Sequence, residues 1–120
     1  MSVDDATRAA LSQIRTIDIT TVGRRSGRPA RIEIWWFHVD DRFVITGRPG
    51  PRDWFANVLA DPRVTIHAPF GDFTGRATPI RDPEFRRRVM TDPQLSWYST
   101  QSELDELVSS APMVEVVLDG

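Results

Sequence analysis

The sequence predicts a mainly β fold with flanking helices, in which about six short strands form a small, mostly antiparallel barrel. Two observations predict this fold. Short segments with apolar side chains at alternate positions recur along the chain, as in "TIDITTV" and "PMVEVVLDG". Glycine, proline and aspartate separate these segments, and such residues favour turns. A length of 120 residues suits one compact domain, which we assign to residues 1–120.

The first half of the chain is predicted to contain one helix followed by an antiparallel meander. Ser2 and Asp5 form a weak capping box, and apolar residues follow at helical spacing, so we expect a helix over residues 3–14. Three strands are then expected, over residues 16–22, 30–39 and 42–47.

The second half is predicted to alternate helices and strands. Asp53 is placed to cap a helix that ends near Ala60. Asp82, followed by proline, marks the start of another helix, and Gly75 indicates a bulge in the strand before it. The other expected elements are strands over residues 63–68, 73–80 and 112–120 and a helix over 102–110.

The second predicted strand is apolar on both faces. In "IEIWWF", Ile34 and Trp36 share one face, while Trp35 and Phe37 share the other. A barrel strand that faces water outside is apolar on one face only, so we expect the outer face to be covered. Three groups could cover the outer face of this strand: the chain's own helices, a second subunit of a homodimer, or a flat cofactor.

Composition excludes several classes of function. The net charge of −2 argues against general binding of nucleic acid. The chain has no cysteine and only two histidines, far apart in sequence, so we expect no metal site. It begins without a signal-peptide pattern, which favours a cytoplasmic location. All fifteen basic residues are arginine, whose planar guanidinium suits phosphate and carboxylate.

Two cationic turns are the candidate binding site. The turn "GRRSGRP" carries Arg24, Arg25 and Ser26, and the loop "GRPGPR" carries Arg48 and Arg52. Backbone N–H groups of such loops, with the start of the following helix, can hold an anion. The first turn can equally be a solvated hairpin, and the second loop a plain strand–turn–helix connection. Local chemistry therefore leaves open whether these residues bind an anion or have only a structural role.

No residue is equipped for covalent chemistry by itself. His38 and His67 have no serine and second acid placed by sequence to complete a triad, so both are interpreted as solvated or structural. The arginines at 86–88 are assigned to a solvated helix face. Tyr98, the single tyrosine, is a candidate for lining a pocket. An enzyme of this composition needs a bound cofactor for the chemical step.

The order of the motifs carries a family resemblance. "TTVGRRSGRP", then an apolar strand, "RFVITGRPGPRDWFANVLADPRVTIHA" and "GRATPIRDP" resemble the deazaflavin-dependent nitroreductase and quinone reductase family. That family has a split β-barrel related to the flavin-binding pyridoxamine-phosphate oxidases. The likeness covers about residues 17 to 90.

The resemblance implies binding of coenzyme F-420, a deazaflavin with a phosphate and a polyglutamate tail. It implies hydride transfer from the reduced deazaflavin to a quinone, nitro or activated-alkene acceptor. Nitro-reducing members place several tyrosines around the acceptor, where this chain has only Tyr98, so no catalytic residue is assigned. The implied cofactor contacts are Arg24, Arg25, Ser26, Thr46, Gly47, Arg48, Pro49, Gly50, Arg52, Trp54 and Asn57.

Two alternatives stay open beside this interpretation. The same barrel can use FMN, or it can be a non-catalytic protein that binds a ligand or cofactor. The expected partners are a small-molecule hydride acceptor and a second copy of the chain, with a loose association to a membrane or to quinones.

Overall fold

A computed structural model describes residues 4–96 and 103–119 as a closed six-stranded barrel with helices outside it. The strands are β1 (Thr16–Val22), β2 (Pro29–Val39), β3 (Arg42–Thr46), β4 (Arg63–Ala68), β5 (Gly71–Pro79) and β6 (Met113–Leu118). The helices are α1 (Asp5–Ser12), α2 (Asp53–Ala60), α3 (Pro83–Met90) and α4 (Leu104–Ser110), with a 3₁₀ turn at Pro93–Leu95. Every strand pairing is antiparallel, in the order β1-β2-β3-β6-β5-β4, which confirms the predicted fold.

The barrel interior is filled by the inward side chains of the strands. Trp36 is fully buried there and stacks on Phe43, with ring centroids 4.9 Å apart. Its indole Nε1 donates a hydrogen bond of 3.1 Å to the carbonyl of Leu11, which fixes α1 to the barrel. Trp54 and Val58 of α2 belong to the same cluster, so α2 is seated on the core by one of its faces.

Helices of the same chain cover the outer face of β2. Phe37 is 2% exposed and packs in a second cluster with residues of α3, α4 and the 3₁₀ turn, and the partly buried Trp35 packs against that cluster. Burial of a side chain of this size contributes about 1.5–3 kcal/mol. Of the three covers considered, the chain's own helices are therefore the one observed, and the strand no longer argues for a homodimer.

Three sequence predictions about local structure were wrong. The N-cap of α1 is Asp4, whose carboxylate accepts from the amide of Thr7 at 2.7 Å, and the helix is shorter than predicted. The N-cap of α2 is Arg52, so Asp53 is the first helical residue and caps nothing. Gly75 marks no bulge, because strand register is continuous on both sides of it.

The glycine at position 75 is required by close approach of the backbone. A Cβ built there would lie 2.5 Å from the carbonyl oxygen of Val117 on the neighbouring strand.

The predicted cap at Asp82 is confirmed, since its carboxylate accepts from the amide of Glu84 at 3.1 Å. Within the described ranges, no helix is long and apolar enough to cross a membrane.

Candidate active site

The turn between β1 and β2 is closed by hydrogen bonds of its own backbone. The amide of Gly23 donates to the carbonyl of Arg28, and the amide of Gly27 donates to the carbonyl of Gly23, both at 2.8 Å. Gly27 has φ +70°, a conformation that favours glycine. The hydroxyl of Ser26 accepts from the amide of Arg28 at 3.1 Å, so this side chain stabilises the turn itself.

Asn57 of α2 joins this turn to the helix. Its Oδ1 accepts from the backbone amide of Arg24 at 3.2 Å and from the guanidinium of Arg24 at 2.9 Å. Its Nδ2 donates to the hydroxyl of Thr21 at 3.0 Å. Arg24 also forms an ion pair of 3.1 Å with Asp53. The polar groups of Arg24 and Asn57 are therefore engaged in positioning the turn.

Arg25, unlike its neighbour Arg24, is not tied to α2 by an ion pair or hydrogen bond in the described part of the chain. Its side chain is exposed and makes no hydrogen bond or ion pair within residues 4–96 and 103–119. It lines a cavity of about 310 Å³, which we call the anion pocket. The walls of the anion pocket are Gly23, Arg24, Arg25, Ser26, Ala30, Asp53 and Asn57.

The start of α2 adds positive potential beside the anion pocket. Arg52 occupies the N-cap but gives the first helical turn no side-chain hydrogen bond, so it leaves the positive end of the helix uncapped. The guanidinium of Arg52 donates to the carbonyl of the neighbouring Pro51 at 3.1 Å, within its own loop. In the same loop Gly50 has φ +123°. Asp53 reduces the local charge because its carboxylate pairs with Arg24.

A second cavity lies on the opposite side of α2. Phe55 and Leu59 line this cavity, whereas Asp53 and Asn57 line the anion pocket, and positions two residues apart project from opposite sides of a helix. We call this second cavity the α2–α4 cleft. It has a volume of about 420 Å³. Its walls are Gly50, Phe55, Leu59, Pro79, Ile80, Arg81, Arg86, Ser109, Ser110, Ala111, Pro112 and Met113.

Comparison with known proteins decides the family. A family model described as F420H(2)-dependent quinone reductase matches residues 3–109. The chain belongs to the F420H(2)-dependent quinone reductase family. The predicted resemblance is therefore confirmed, and the family name describes an oxidoreductase that uses a reduced deazaflavin. A search of individually curated proteins gave no match.

Solved structures similar to this family member agree on the fold. A putative pyridoxamine 5′-phosphate oxidase from Listeria innocua is 15% identical with a TM-score of 0.72, over 97% of this chain and 93% of that one. An F420 reductase is 16% identical with a TM-score of 0.66, over 98% and 97% of the two chains. A FAD-binding protein from Mesorhizobium loti is 14% identical with a TM-score of 0.67, over 100% and 93%. At these identities the likeness shows the split-barrel fold alone.

In this member of the quinone reductase family, the residues predicted from sequence to contact the cofactor lie in different parts of the structure. Thr46 is fully buried, and its hydroxyl donates to the carbonyl of Pro112 at 2.7 Å. Trp54 is 6% exposed within the barrel core. Gly47, Arg48 and Pro49 continue the loop from Thr46 to Gly50, which reaches the wall of the cleft. The candidate pocket residue Tyr98 lies outside the described residues.

The two histidines have partners on the barrel surface. His38 Nε2 lies 3.5 Å from a carboxylate oxygen of Asp41. His67 Nε2 lies 2.7 Å from the hydroxyl of Thr20, and its Nδ1 lies 3.0 Å from a carboxylate oxygen of Asp72. This hydroxyl–imidazole–carboxylate arrangement was not predicted from the sequence, because the three residues come from three different strands. The strands that carry these three residues are each paired on both sides within the barrel, and the interpretation of His67 as a structural residue stays a prediction.

Arg86 is a further residue of the cleft that was not predicted from the sequence. The interpretation of a solvated arginine run holds for Arg87 and Arg88, which are exposed, and is wrong for Arg86, which is partly buried in the wall of the cleft. Phe85 and Val89 are buried on the same side of α3. Helical phase was the available signal, because Arg86 falls next to Phe85 and three residues before Val89.

Proposed function

We propose that the protein is a reductase that binds reduced coenzyme F-420 and delivers its hydride to a quinone. One observation carries the proposal: an anion pocket and a larger, partly apolar cleft lie on opposite sides of α2, beside its cationic start. This pair suits a ligand with a long anionic part and a flat ring. Nitro compounds and activated alkenes belong to the same proposal, as acceptors that are reduced by the same hydride transfer.

The charges of the site fit the anionic part of this cofactor. Arg25 and Arg28 project from the turn with no carboxylate partner among the described ion pairs, and Arg52 stands at the uncapped start of α2. Guanidinium groups and helix N–H groups both bind phosphate and carboxylate. Arg25 would hold the tail, with Arg24 and Asn57 positioning the turn behind it.

The α2–α4 cleft fits the flat part. Its volume of about 420 Å³ is within the range of small-molecule sites, about 300–1,000 Å³. Phe55 packs edge-on against Trp54, with ring centroids 5.6 Å apart, so this wall is held by the core. Leu59, which is about half exposed, adds apolar surface to the cleft.

The chain contributes placement and exclusion of water to the reaction. The bound deazaflavin supplies the hydride chemistry. Phe55 and Leu59 line the α2 side of the cleft, and a flat ring bound against them would displace water from this side, which would strengthen electrostatic interactions there. Holding ring and acceptor together in one cleft removes much of the entropic barrier to reaction between them.

A second candidate cofactor is FMN. Structural neighbours of this barrel are named as a pyridoxamine 5′-phosphate oxidase and a FAD-binding protein, and FMN also carries a phosphate and a flat ring. A non-catalytic barrel that only binds such a ligand is the third candidate, favoured because the single tyrosine of the chain is Tyr98. Cofactor binding and turnover separate these candidates.

The test is a pair of titrations followed by a turnover assay. Oxidised and reduced F-420 and FMN are added separately while tryptophan fluorescence is recorded, since Trp54 lies on α2 between the two cavities. We expect F-420 to bind at micromolar concentration and FMN more weakly. Binding of F-420 no tighter than about 1 mM, which is about 4 kcal/mol, contradicts the proposal.

Turnover is measured with menadione as the acceptor. Oxidation of bound, reduced F-420 that depends on both protein and menadione supports a reductase. Tight binding without any oxidation supports the non-catalytic candidate. A homodimer, a loose association with membranes or quinones and a cytoplasmic location are further proposals, tested by light scattering, by flotation with vesicles and by cell fractionation.

A further inference from the structure

Arg86 of α3 is held rigidly by backbone carbonyls. Its Nε donates to the carbonyl of Val108 at 2.5 Å, its Nη1 to that of Ile80 at 2.8 Å, and its Nη2 to that of Ala111 at 2.5 Å. These three carbonyls belong to the end of α4 and to the segments that lead out of β5 and into β6. The guanidinium therefore ties together the three segments that form one wall of the α2–α4 cleft.

The positive charge of Arg86 has no carboxylate partner in the described part of the chain. Its neighbours on the same helix differ: Arg87 pairs with Asp105 at 2.6 Å, and Arg88 pairs with Asp92 at 2.9 Å. Burial lowers the pKa of the Arg86 guanidinium, as expected for a cation removed from water without a counter-ion.

Two N–H groups of Arg86 remain for a ligand. A guanidinium has five N–H donors, and the three carbonyls take one from each nitrogen. No other described residue accepts from this side chain, and Arg86 lines the α2–α4 cleft. The residues that line this cleft include a second arginine, the exposed Arg81, and no aspartate or glutamate.

We propose that Arg86 binds the negatively charged oxygen of a planar ring compound held in the α2–α4 cleft. This inference rests on the proposed use of the cleft as the ring site. A charge-assisted hydrogen bond is about twice as strong as a neutral one, and it is stronger still where water is excluded. The fixed guanidinium needs no reorientation to make this bond, which is the condition for electrostatic stabilisation of developing charge.

In the proposed reaction this charge appears on the acceptor. A quinone that takes up a hydride gains two electrons and becomes the hydroquinone anion, while the reduced deazaflavin is oxidised. The anion then takes a proton from water to give the hydroquinone. Arg86 contacts the oxygen that carries the negative charge between these two steps, so it is a candidate catalytic residue.

The test needs no cofactor. The protein is titrated by calorimetry at low ionic strength with 2-hydroxy-1,4-naphthoquinone, which is an anion at neutral pH, and with 2-methoxy-1,4-naphthoquinone, which is neutral and of similar shape. We expect the anion to bind at least about tenfold more tightly, because a hydrogen bond to a charged group contributes about 1.5–3 kcal/mol.

Substitution then assigns the preference to one side chain. Arg86→Gln is expected to lose most of the anion preference, and Arg86→Lys to keep part of it. Arg87→Gln is the matched control, since it makes the same change of charge on the same helix at a residue that does not line the cleft, and it should keep the full preference. Circular dichroism checks that each variant is folded.

If Arg86→Gln does not fold, the wild-type protein decides the question by NMR. The side-chain Nε–H of Arg86, assigned through its own backbone amide, should shift on addition of the anion and not on addition of the methoxy compound. Equal binding of the two probes, binding of neither, or an equal loss in Arg87→Gln overturns the inference. Because F-420 is absent, this result stands apart from the F-420 titration.

Discussion

Replacing Asn57 with alanine removes the side chain that joins the cationic turn to α2. Asn57 is 5% exposed, and its amide makes three hydrogen bonds, two accepted from Arg24 and one donated to Thr21. Thr21 is itself 2% exposed, so water does not readily replace the lost partner. In the variant, the hydroxyl of Thr21 and the backbone amide of Arg24 lose their partners.

The expected cost follows from these two groups. The buried hydroxyl of Thr21 costs about 1–3 kcal/mol when it loses its partner, and the lost hydrogen bond of the part-buried Arg24 amide adds about 1 kcal/mol. We therefore expect Asn57→Ala to lower the free energy of unfolding by about 2–4 kcal/mol. For a domain of this length, 1 kcal/mol corresponds to roughly 4 °C, which gives a fall in Tm of roughly 8–16 °C. Cofactor binding should weaken as well, because Arg25 is then carried by a turn that is no longer fixed to α2.

Urea unfolding followed by circular dichroism measures the free energy, with Thr21→Val and the double variant completing a cycle. Thr21→Val removes the acceptor for the Asn57 amide, so the double variant should be more stable than the sum of the two losses by about 0.5–3 kcal/mol. A loss below about 0.5 kcal/mol for Asn57→Ala, typical of a surface substitution, would refute the reasoning, as would strict additivity.

Three further predictions concern charge, packing and pH. Arg25→Ala should weaken F-420 binding, and the difference from wild type should shrink between low salt and 0.5 M NaCl because screening weakens exposed charge interactions; a salt-independent loss contradicts this. Gly75→Ala should cost about 1–3 kcal/mol by overpacking against the carbonyl of Val117, whereas Gly47→Ala, where a Cβ meets nothing within 4 Å, should be near neutral in thermal unfolding. Burial raises the pKa of Asp92, but hydrogen bonds from Gln94 and the Arg88 guanidinium outweigh it, so the net pKa is lowered. The stability that the Asp92 carboxylate contributes is present above its unfolded pKa near 3.9, and it is lost as the pH falls through its lower folded pKa. Asp92→Asn should therefore lower Tm at pH 6 and lose less than wild type on acidification to pH 3; parallel Tm curves would contradict it.

The strands could be predicted from sequence because the information is local. Alternation in "TIDITTV" fixes which face of β1 is buried, and the observed bounds of β1 are the predicted ones. The residues of the two turns were found for the same reason, since glycines and arginines at that spacing are visible in sequence. Their roles in contacting a cofactor remain predictions.

The parts that could not be predicted depend on contacts between distant segments. Helical phase indicates that Arg86 lies beside the buried Phe85, but the sequence does not show which groups it meets. The carbonyl of Val108 that accepts from Arg86 and the carboxylate of Asp105 that pairs with Arg87 both come from α4. Asp53 stands where a cap is expected, but its carboxylate pairs with Arg24 from a turn 29 residues earlier. The cover over Phe37 depends in the same way on where α3 and α4 pack.

The position of α2 between the two cavities also has a consequence for affinity. A helix with its side chains is about 10 Å across, so a ligand that occupies both cavities binds the protein as two linked modules. The second module then binds at an effective concentration in the millimolar range when the link between them is short. Fragments that reach only one side of α2 should bind weakly by themselves, and joining them should multiply their affinities without any new contact.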